Sequence, residues 1–487
     1  MNLLLLASVA IGAGLATIFF SGTKPRAALA VGIAGSLAVL VVALAMPTEE
    51  SLQIGGVGLV STPLVRGMAV AWSAGLAVLG LLEVAIGGRP TVVGPALVGI
   101  AVATAALATK DPASSVAALA AGGVAGVVIP GLSGWLDGPE SPSRLPTTSR
   151  GSLAVLGSGL IGLAAIGWAA SPAGPLEGGA GEGLGDPGVR LASGLALLAM
   201  VVAVAFRSGL IPLHVWAARF MEGVSPLAIP AAFAWGSAAF VLVALDWSQV
   251  FLGPDAAGDV ESALIIGLSL LSLVLGGLAA MVHDDIEHVL GYSILQDAGI
   301  ALLAFASLEP EVAAAARNWL VASATVKTGL AAWAAVVRAT YGGHRLEDLG
   351  GWARHSPVLG LSFAALLVAA IGLPGMALFD ARASLISSAM PGVGAVVTIL
   401  IAAMPAIYLG RIASAGLRPI GQAVAVGPSG RPKWSGGRAG GWSEGTRRDI
   451  VRAIPADLRA NRAALMALGV LALAVMGLMT AVGGAGG

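Results

Sequence analysis

No cysteine occurs anywhere in the sequence. Disulfides, thiolate-bound metals and cysteine-held iron–sulfur clusters are thereby excluded, and any redox centre coupled to this chain must sit on another one. Charge is scarce as well: Lys, Arg, Asp and Glu together make up 11% of 487 residues, in equal numbers of each sign. The motifs that would carry soluble chemistry are missing too. There is no GxxxxGK[ST] loop, no strand-embedded GxGxxG, no HExxH and no pair of catalytic carboxylates, and the five histidines do not fall at metal-ligand spacing. Nucleotide-driven, hydrolytic and metal-dependent reactions therefore have no support, no cofactor is expected, and nothing points to nucleic acid.

What the sequence has in abundance is apolar length. Hydrophobic residues are 57% of the chain and the mean hydropathy is +0.91, outside the range of soluble globular proteins. Spanning a bilayer core of about 30 Å takes about 20 apolar residues per helix. Runs of that order lie near 3–20, 27–46, 65–88, 91–109, 113–136, 152–170, 190–220, 226–245, 261–282, 288–307, 312–340, 357–380, 391–414 and 463–483. The ten-residue alternation of an outer-membrane barrel is absent, so helices are left to satisfy the backbone in lipid. The expected fold is an all-α, polytopic membrane protein with about 14 transmembrane helices, packed closely through its many glycines and alanines. MNLLLLASVAIGAGLATIFF has no basic start and is followed by another span, so it reads as a first helix rather than a signal peptide.

Loop charges sort by sign. Lys24 and Arg26, Arg89, Arg144 and Arg150, Arg219, then Arg338, Arg345 and Arg354 follow odd-numbered segments. Glu49 and Glu50, Glu177, Glu182, Asp186, Asp255, Asp259, Glu261, Glu309 and Glu311 mark the even-numbered connections, with Lys110 as the main basic exception. The positive-inside rule then puts both termini on the outer face of a cell (inner or plasma) membrane. The polar stretch 415–462 carries nine Lys or Arg in the same sense. Its first half is Gly-rich linker, and its second half alternates Arg with Ile, Val and Leu as an interfacial helix would.

An ionisable residue at mid-span costs at least about 2.5 kcal/mol, so by default it faces a bundle interior or a wet cavity. Arg207 lies in the seventh segment, five residues before the helix-breaking Pro212. Lys327 is the only lysine within a span; lysine can surrender its proton when buried, whereas arginine holds its charge. Asp297 shares the tenth segment with Tyr292, Ser293 and Gln296. Asp380 and Arg382 follow a second break at Pro374, which leaves both able to reach a common cavity. Structural ion pairs between helices are the competing reading for all of these. His214 stands between a structural role and proton carriage, and Trp216, Trp247 and Trp352 read as interface anchors.

The stretch FRSGLIPLHVWAARFMEGVSPLAIP resembles the seventh and eighth helices of the antiporter-like subunits of respiratory complex I, through Ser208, Pro212, His214, Trp216, Met221, Glu222 and Pro226. DDIEHVLGYSILQDAG is similar to a second segment of that family through Asp285, Ile286, Leu290, Tyr292, Ser293 and Gly299, and HRLEDLGGWARHSP…GLPGMALF to a third. The family also includes subunits of cation/proton antiporters and membrane-bound hydrogenases. The resemblance implies two inverted five-helix repeats, each with a broken helix, and a polar axis that conducts protons.

Transferred by position, the N-terminal helices occupy 1–90, the repeats 91–246 and 261–414, and a basic loop with the last helix 415–487. Arg207 replaces the lysine of the first broken helix, Lys327 coincides with the lysine of the second repeat, and Arg382 falls at a terminal lysine or glutamate position. Asp297, Asp380, His214 and Glu222 complete the implied proton path. The fifth segment, PASSVAALAAGGVAGVVIPG, lacks the family's glutamate, and Ala232 replaces its histidine.

The expected function is thus a proton-translocating membrane subunit of a complex I-like NADH:quinone oxidoreductase or related assembly, with other membrane subunits as partners, no redox site of its own and a divergent first half. A secondary cation/proton or inorganic-carbon transporter component, or a non-conducting scaffold, are the alternatives.

Overall fold

The computed structural model describes residues 2–54, 56–87, 92–133, 144–171, 187–341, 345–418 and 462–484. Most of the basic 415–462 stretch, including its expected interfacial helix, lies outside the described residues, as do Arg89, Glu177, Glu182 and Asp186. Among the described residues the chain folds into a helical bundle. Its elements are α1 (Asn2–Ser21), α2 (Pro25–Ala45), α3 (Pro63–Ile86), α4 (Val93–Ala108), α5 (Pro112–Ser133), α6 (Arg144–Ala169), α7 (Pro187–Ser208), α8 (Val215–Gly223), α9 (Gly236–Trp247), α10 (Asp259–Val282), α11 (Ile286–Leu302), α12 (Pro310–Tyr341), α13 (Trp352–His355), α14 (Pro357–Ile371), α15 (Ala377–Ala389), α16 (Val393–Ala402), α17 (Pro405–Leu417) and α18 (Arg462–Gly483).

Proline opens α2, α3, α5, α7, α12, α14 and α17, where its missing N–H costs nothing and its fixed φ suits the first turn. Side-chain acceptors cap several N-termini: Thr62 receives the Val65 N–H at 3.2 Å, Asp285 that of Glu287 at 2.8 Å, and Asp111 that of Ser114 at 3.0 Å.

Eleven helices among the described residues are long and apolar enough to cross a bilayer, or twelve if a pair bent by 111° ahead of Pro357 counts as one span. The shorter apolar helices Val93–Ala108 and Pro112–Val128 fall where two more of the fourteen expected segments lie.

A short hairpin accompanies the helices. Residues Ser51–Ile54 (β1) and Val57–Val60 (β2) form an antiparallel hairpin between α2 and α3, and Lys110 donates its backbone N–H to Gly58 O at 3.0 Å. Two short runs separated by Gly55-Gly56 are the local signal for such a hairpin.

The connections gather at two ends of the bundle. At one end, Arg411 reaches Asp284 at 2.6 Å, Asp285 bridges to Arg345, Gly351 N–H meets Ala415 O at 3.0 Å, and Arg462 contacts the carbonyls of Ala85 and Ile86. At the other end, Gln249 donates to Leu308 O and Glu309 O, both at 3.0 Å, and Ser262 to Ala306 O at 2.7 Å. The first end contains connections after odd-numbered segments and the second those after even-numbered ones.

Close helix approach follows from small residues. A Cβ on Gly35 would collide with Ala13 Cβ across the α1–α2 contact, and one on Gly159 with Ala120 Cβ across α5–α6. The central element is α12, whose most apolar 18-residue window is buried along its whole length and which packs on α3, α11, α14, α15 and α18.

The tryptophans correct one expectation. Trp216, Trp247 and Trp352 are 7%, 2% and 1% exposed and belong to the core rather than to an interface belt. Trp352 packs edge-on against Trp333 and Phe363, and Trp216 stacks on Phe233 at 5.0 Å while donating its N–H to Phe206 O. Tryptophan's apolar area rewards full burial once its single donor finds an acceptor, as Trp216 does.

Candidate functional site

Two interruptions in the helical framework create the polar interior. Between α7 and α8 the chain turns through Gly209, with φ +63, and the cis Ile211–Pro212 bond before resuming at Val215. A break inside a membrane helix releases carbonyls that must find donors. Here the Leu210 N–H serves Ala205 O, Trp216 serves Phe206 O, the Ser237 hydroxyl serves Arg207 O at 3.3 Å, and Ser272 serves Ile211 O at 3.4 Å. The second interruption separates α14 from α15: Gly372 and Gly375 adopt φ +60 and +90, with Pro374 exposed between them.

The chemistry concentrates on α11 and α12. Lys327, 3% exposed and midway along α12, places its ammonium 3.1 Å from Asp297 Oδ2 and donates to Ser293 Oγ, also at 3.1 Å. Ser293 passes its own hydroxyl hydrogen to Leu290 O at 2.6 Å. The Asp297 backbone carbonyl is held by the indole N–H of Trp319 at 3.0 Å. Next to Asp297 on α11, the buried Gln296 accepts from the Tyr408 hydroxyl at 3.0 Å, which ties α17 to the same group of side chains. The pair is therefore a buried acid and base with hydroxyl and amide neighbours, the components of a hydrogen-bonded proton relay.

Toward the end of the bundle where Asp284 meets Arg411, ring systems continue from this group. Tyr292, adjacent to Ser293 in sequence, stacks on His283 at 5.2 Å and 11°, and His283 stacks on His288 at 4.8 Å and 13°. His288 Nδ1 lies 3.5 Å from Asp285 Oδ1. His214, at the first break, is 6.2 Å from the Tyr292 ring. Nearby, the buried Glu287 pairs with Arg338.

Other candidates divide differently. Arg382 is 2% exposed and donates from Nη1 to Ala402 O and from Nη2 to Gly372 O, each at 3.1 Å, with its guanidinium 5.5 Å above the Phe379 ring. It clamps carbonyls left open at the second break and at the end of α16. Asp380 is exposed, so it does not share a cavity with the buried Arg382; two positions apart on α15, the residues point to different sides.

Arg207, at the last turn of α7 and 3% exposed, borders a separate cavity in the first half of the chain. Glu222 lies on α8, with its side chain outside the described set.

Several contributors escape sequence reasoning. Glu287 and Arg338 are 51 residues apart, and Tyr408 and Gln296 are 112 apart, so no local spacing rule joins them. Trp235 donates to Thr328 Oγ1 at 3.0 Å over 93 residues, next to Lys327 in sequence.

Comparison with known proteins follows the same division. Residues 189–407 match the family described as NADH:quinone oxidoreductase/Mrp antiporter, TM, a stretch that contains both helix interruptions and the Lys327–Asp297 pair. NADH-quinone oxidoreductase subunit N 1 of Streptomyces griseus is 28% identical over 218 residues, covering 45% of this chain and 45% of that subunit. Subunit N of Rhodospirillum rubrum is 27% identical over 189 residues, 38% of each. The matched stretch is thus less than half the length of these curated relatives.

Among solved structures, a chain of respiratory complex I from Thermus thermophilus with bound NADH superposes with a TM-score of 0.67 at 19% identity, over 98% of this chain and 99% of that one. A chain of the Mrp complex from Dietzia sp. gives 0.67 at 18% identity over 98% and 95%. Over its whole length the chain thus has the fold of these membrane subunits, and over its centre, residues 189–407, it is similar in sequence to the NADH:quinone oxidoreductase/Mrp antiporter family.

Proposed function

We propose that this chain is a proton-translocating membrane subunit of a complex I-like or related multisubunit assembly, and that its proton path runs through the second half, 261–414. The observation that carries this reading is the Lys327–Asp297 pair: a lysine 3% exposed, 3.1 Å from a carboxylate and from the Ser293 hydroxyl, on adjacent membrane helices. Burying such a pair costs more than an apolar pair of the same volume, so a role beyond stability is its best rationale. Lysine and aspartate can each hold or release a proton in such surroundings, and Ser293 supplies a neutral hydroxyl through which a proton can pass. The likeness to chains of multisubunit membrane complexes supports other membrane subunits as partners.

In this reading His283, His288 and Tyr292 provide access from the end of the bundle where basic loops collect, which is the cytoplasmic side of a cell membrane, and both termini face outward. Residues 91–246 and 261–414 act as the two inverted repeats. The first repeat does not conduct by lysine–glutamate exchange, because Arg207 keeps its proton at any physiological pH and α5 offers it no carboxylate. Arg382 and Pro374 shape the second break, while Asp380, facing outward, meets either lipid headgroups or a neighbouring subunit.

The test is proton uptake by liposomes containing the intact assembly, with Lys327→Ala and Asp297→Asn beside the wild type and partner retention measured on the same preparations. Loss of flux with partners retained is the expected result. Normal flux in both variants would remove the relay, and wild-type particles that assemble but never move protons would make the chain a scaffold.

A further inference from the structure

We propose that Arg207 and the cavity beside it bind a small monovalent anion. The cavity has a volume of ≈ 50 Å³ and is walled by α4, α5, Trp72 and the 228–236 segment, with Arg207 the only charged side chain among the described residues that line it. A water needs about 10–15 Å³ by this measure, so about three to five water-sized bodies fit.

The guanidinium is poorly served. It brings five N–H donors, yet the hydrogen bond it makes among the described residues is a long one, 3.5 Å from Nη1 to Ala232 O, and Nε has no partner. No acidic side chain is among the described residues that line the cavity. An arginine cannot escape by deprotonating, and a buried charge without a counter-charge costs several kcal/mol. Waters alone would solvate such a cation without neutralising it, and an apolar wall gives them few other partners. A mobile anion supplies both the charge and the acceptors.

Glycine preserves the space for it. A Cβ on Gly123 would lie 3.1 Å from Arg207 Nη2, and one on Gly236 would lie 2.7 Å from the same atom. Gly122 and Gly126 continue the α5 wall, and a Cβ on Gly126 would meet nothing within 4 Å. The volume suits chloride with residual water, or a planar ion such as bicarbonate. A polyanion would overcompensate a single guanidinium.

The experiment uses the full-length chain in detergent. Equilibrium binding of radiolabelled chloride is measured at constant ionic strength with gluconate, too bulky for the cavity, as the replacement ion, and bicarbonate is added as a competitor. Wild type is expected to bind one chloride per chain with a saturable rise of a few degrees in Tm. Displacement by bicarbonate would mark a site for monovalent anions generally, and no displacement a halide-selective one. Arg207→Met should abolish binding.

Because that variant risks misfolding, Gly126→Glu is the second arm. It tethers a carboxylate in the cavity and should remove chloride binding while keeping Tm at or above the chloride-saturated wild-type value. No chloride bound by wild type, or undiminished binding in Gly126→Glu, overturns the proposal.

Discussion

The ammonium of Lys327 and the carboxylate of Asp297 meet at 3.1 Å on two different helices, with 13% of the Asp297 side chain still open. Removing one partner strands the other, at a cost of about 3–5 kcal/mol, whereas exchanging both for apolar residues of similar volume is often neutral. Lys327→Met and Asp297→Leu should therefore each lower the thermal stability of the purified protein substantially, and the double variant should recover most of the loss. Proton flux should stay absent in all three. Recovery of flux together with stability would assign the pair a purely structural role.

Arg382 holds two carbonyls from separate elements, Gly372 O and Ala402 O. Hydrogen bonds from a charged donor contribute about 1.5–3 kcal/mol each. Arg382→Met should destabilise the protein by roughly that amount per bond lost and raise amide hydrogen exchange around residues 372–377 and 402–405 before it does so elsewhere. Lysine, with a compact ammonium in place of the forked guanidinium, should restore less than half of the protection.

Gly416 faces the Trp352 indole so closely that an added Cβ would lie 2.5 Å from Cε2 and 2.7 Å from Nε1. The ring is rigid and itself packed against Trp333 and Phe363. Gly416→Ala should cost about 1–3 kcal/mol and shift tryptophan fluorescence. Gly410→Ala, on the same helix with nothing within 4 Å, is the control and should leave both readings unchanged.

Asp111, in the connection before α5, accepts from the hydroxyl of Ser114 and from its backbone N–H at 3.0 Å, and the Ser114 hydroxyl chiefly holds its carboxyl below the ordinary value. A depressed folded-state pKa contributes stability above the unfolded value of about 3.9, and that contribution is lost as pH falls through the folded value. Hydrogen exchange in the first turn of α5 should accelerate below about pH 4 in the wild type. Asp111→Asn should flatten that dependence.

Apolar run length made the spans legible, and Pro212 and Pro374 marked two positions where the structure interrupts its helices, because both signals are local in sequence. The side on which Asp380 would lie was not legible, since that depends on how α15 is rotated after the turn at Gly372 and Gly375. Trp352 read as an interface anchor because nothing in its neighbourhood of the sequence reveals that Trp333 and Phe363 close over it. The candidate site was legible as a set of residue types, Lys327 and Asp297 among them. Its connections were not, because the Gln296–Tyr408 and Glu287–Arg338 contacts join residues far apart in the chain.

The helix bearing Lys327 is surrounded along its most apolar window by other helices. An element with no lipid-facing side has no free direction in which to roll or slide without displacing a whole shell of close-packed neighbours. Charge movement at Lys327 is thus expected to reach the rest of the protein as a change of field and hydrogen bonding around a stationary axle. In the proposed mechanism the moving parts are protons, side chains and water, and the backbone serves as the stator.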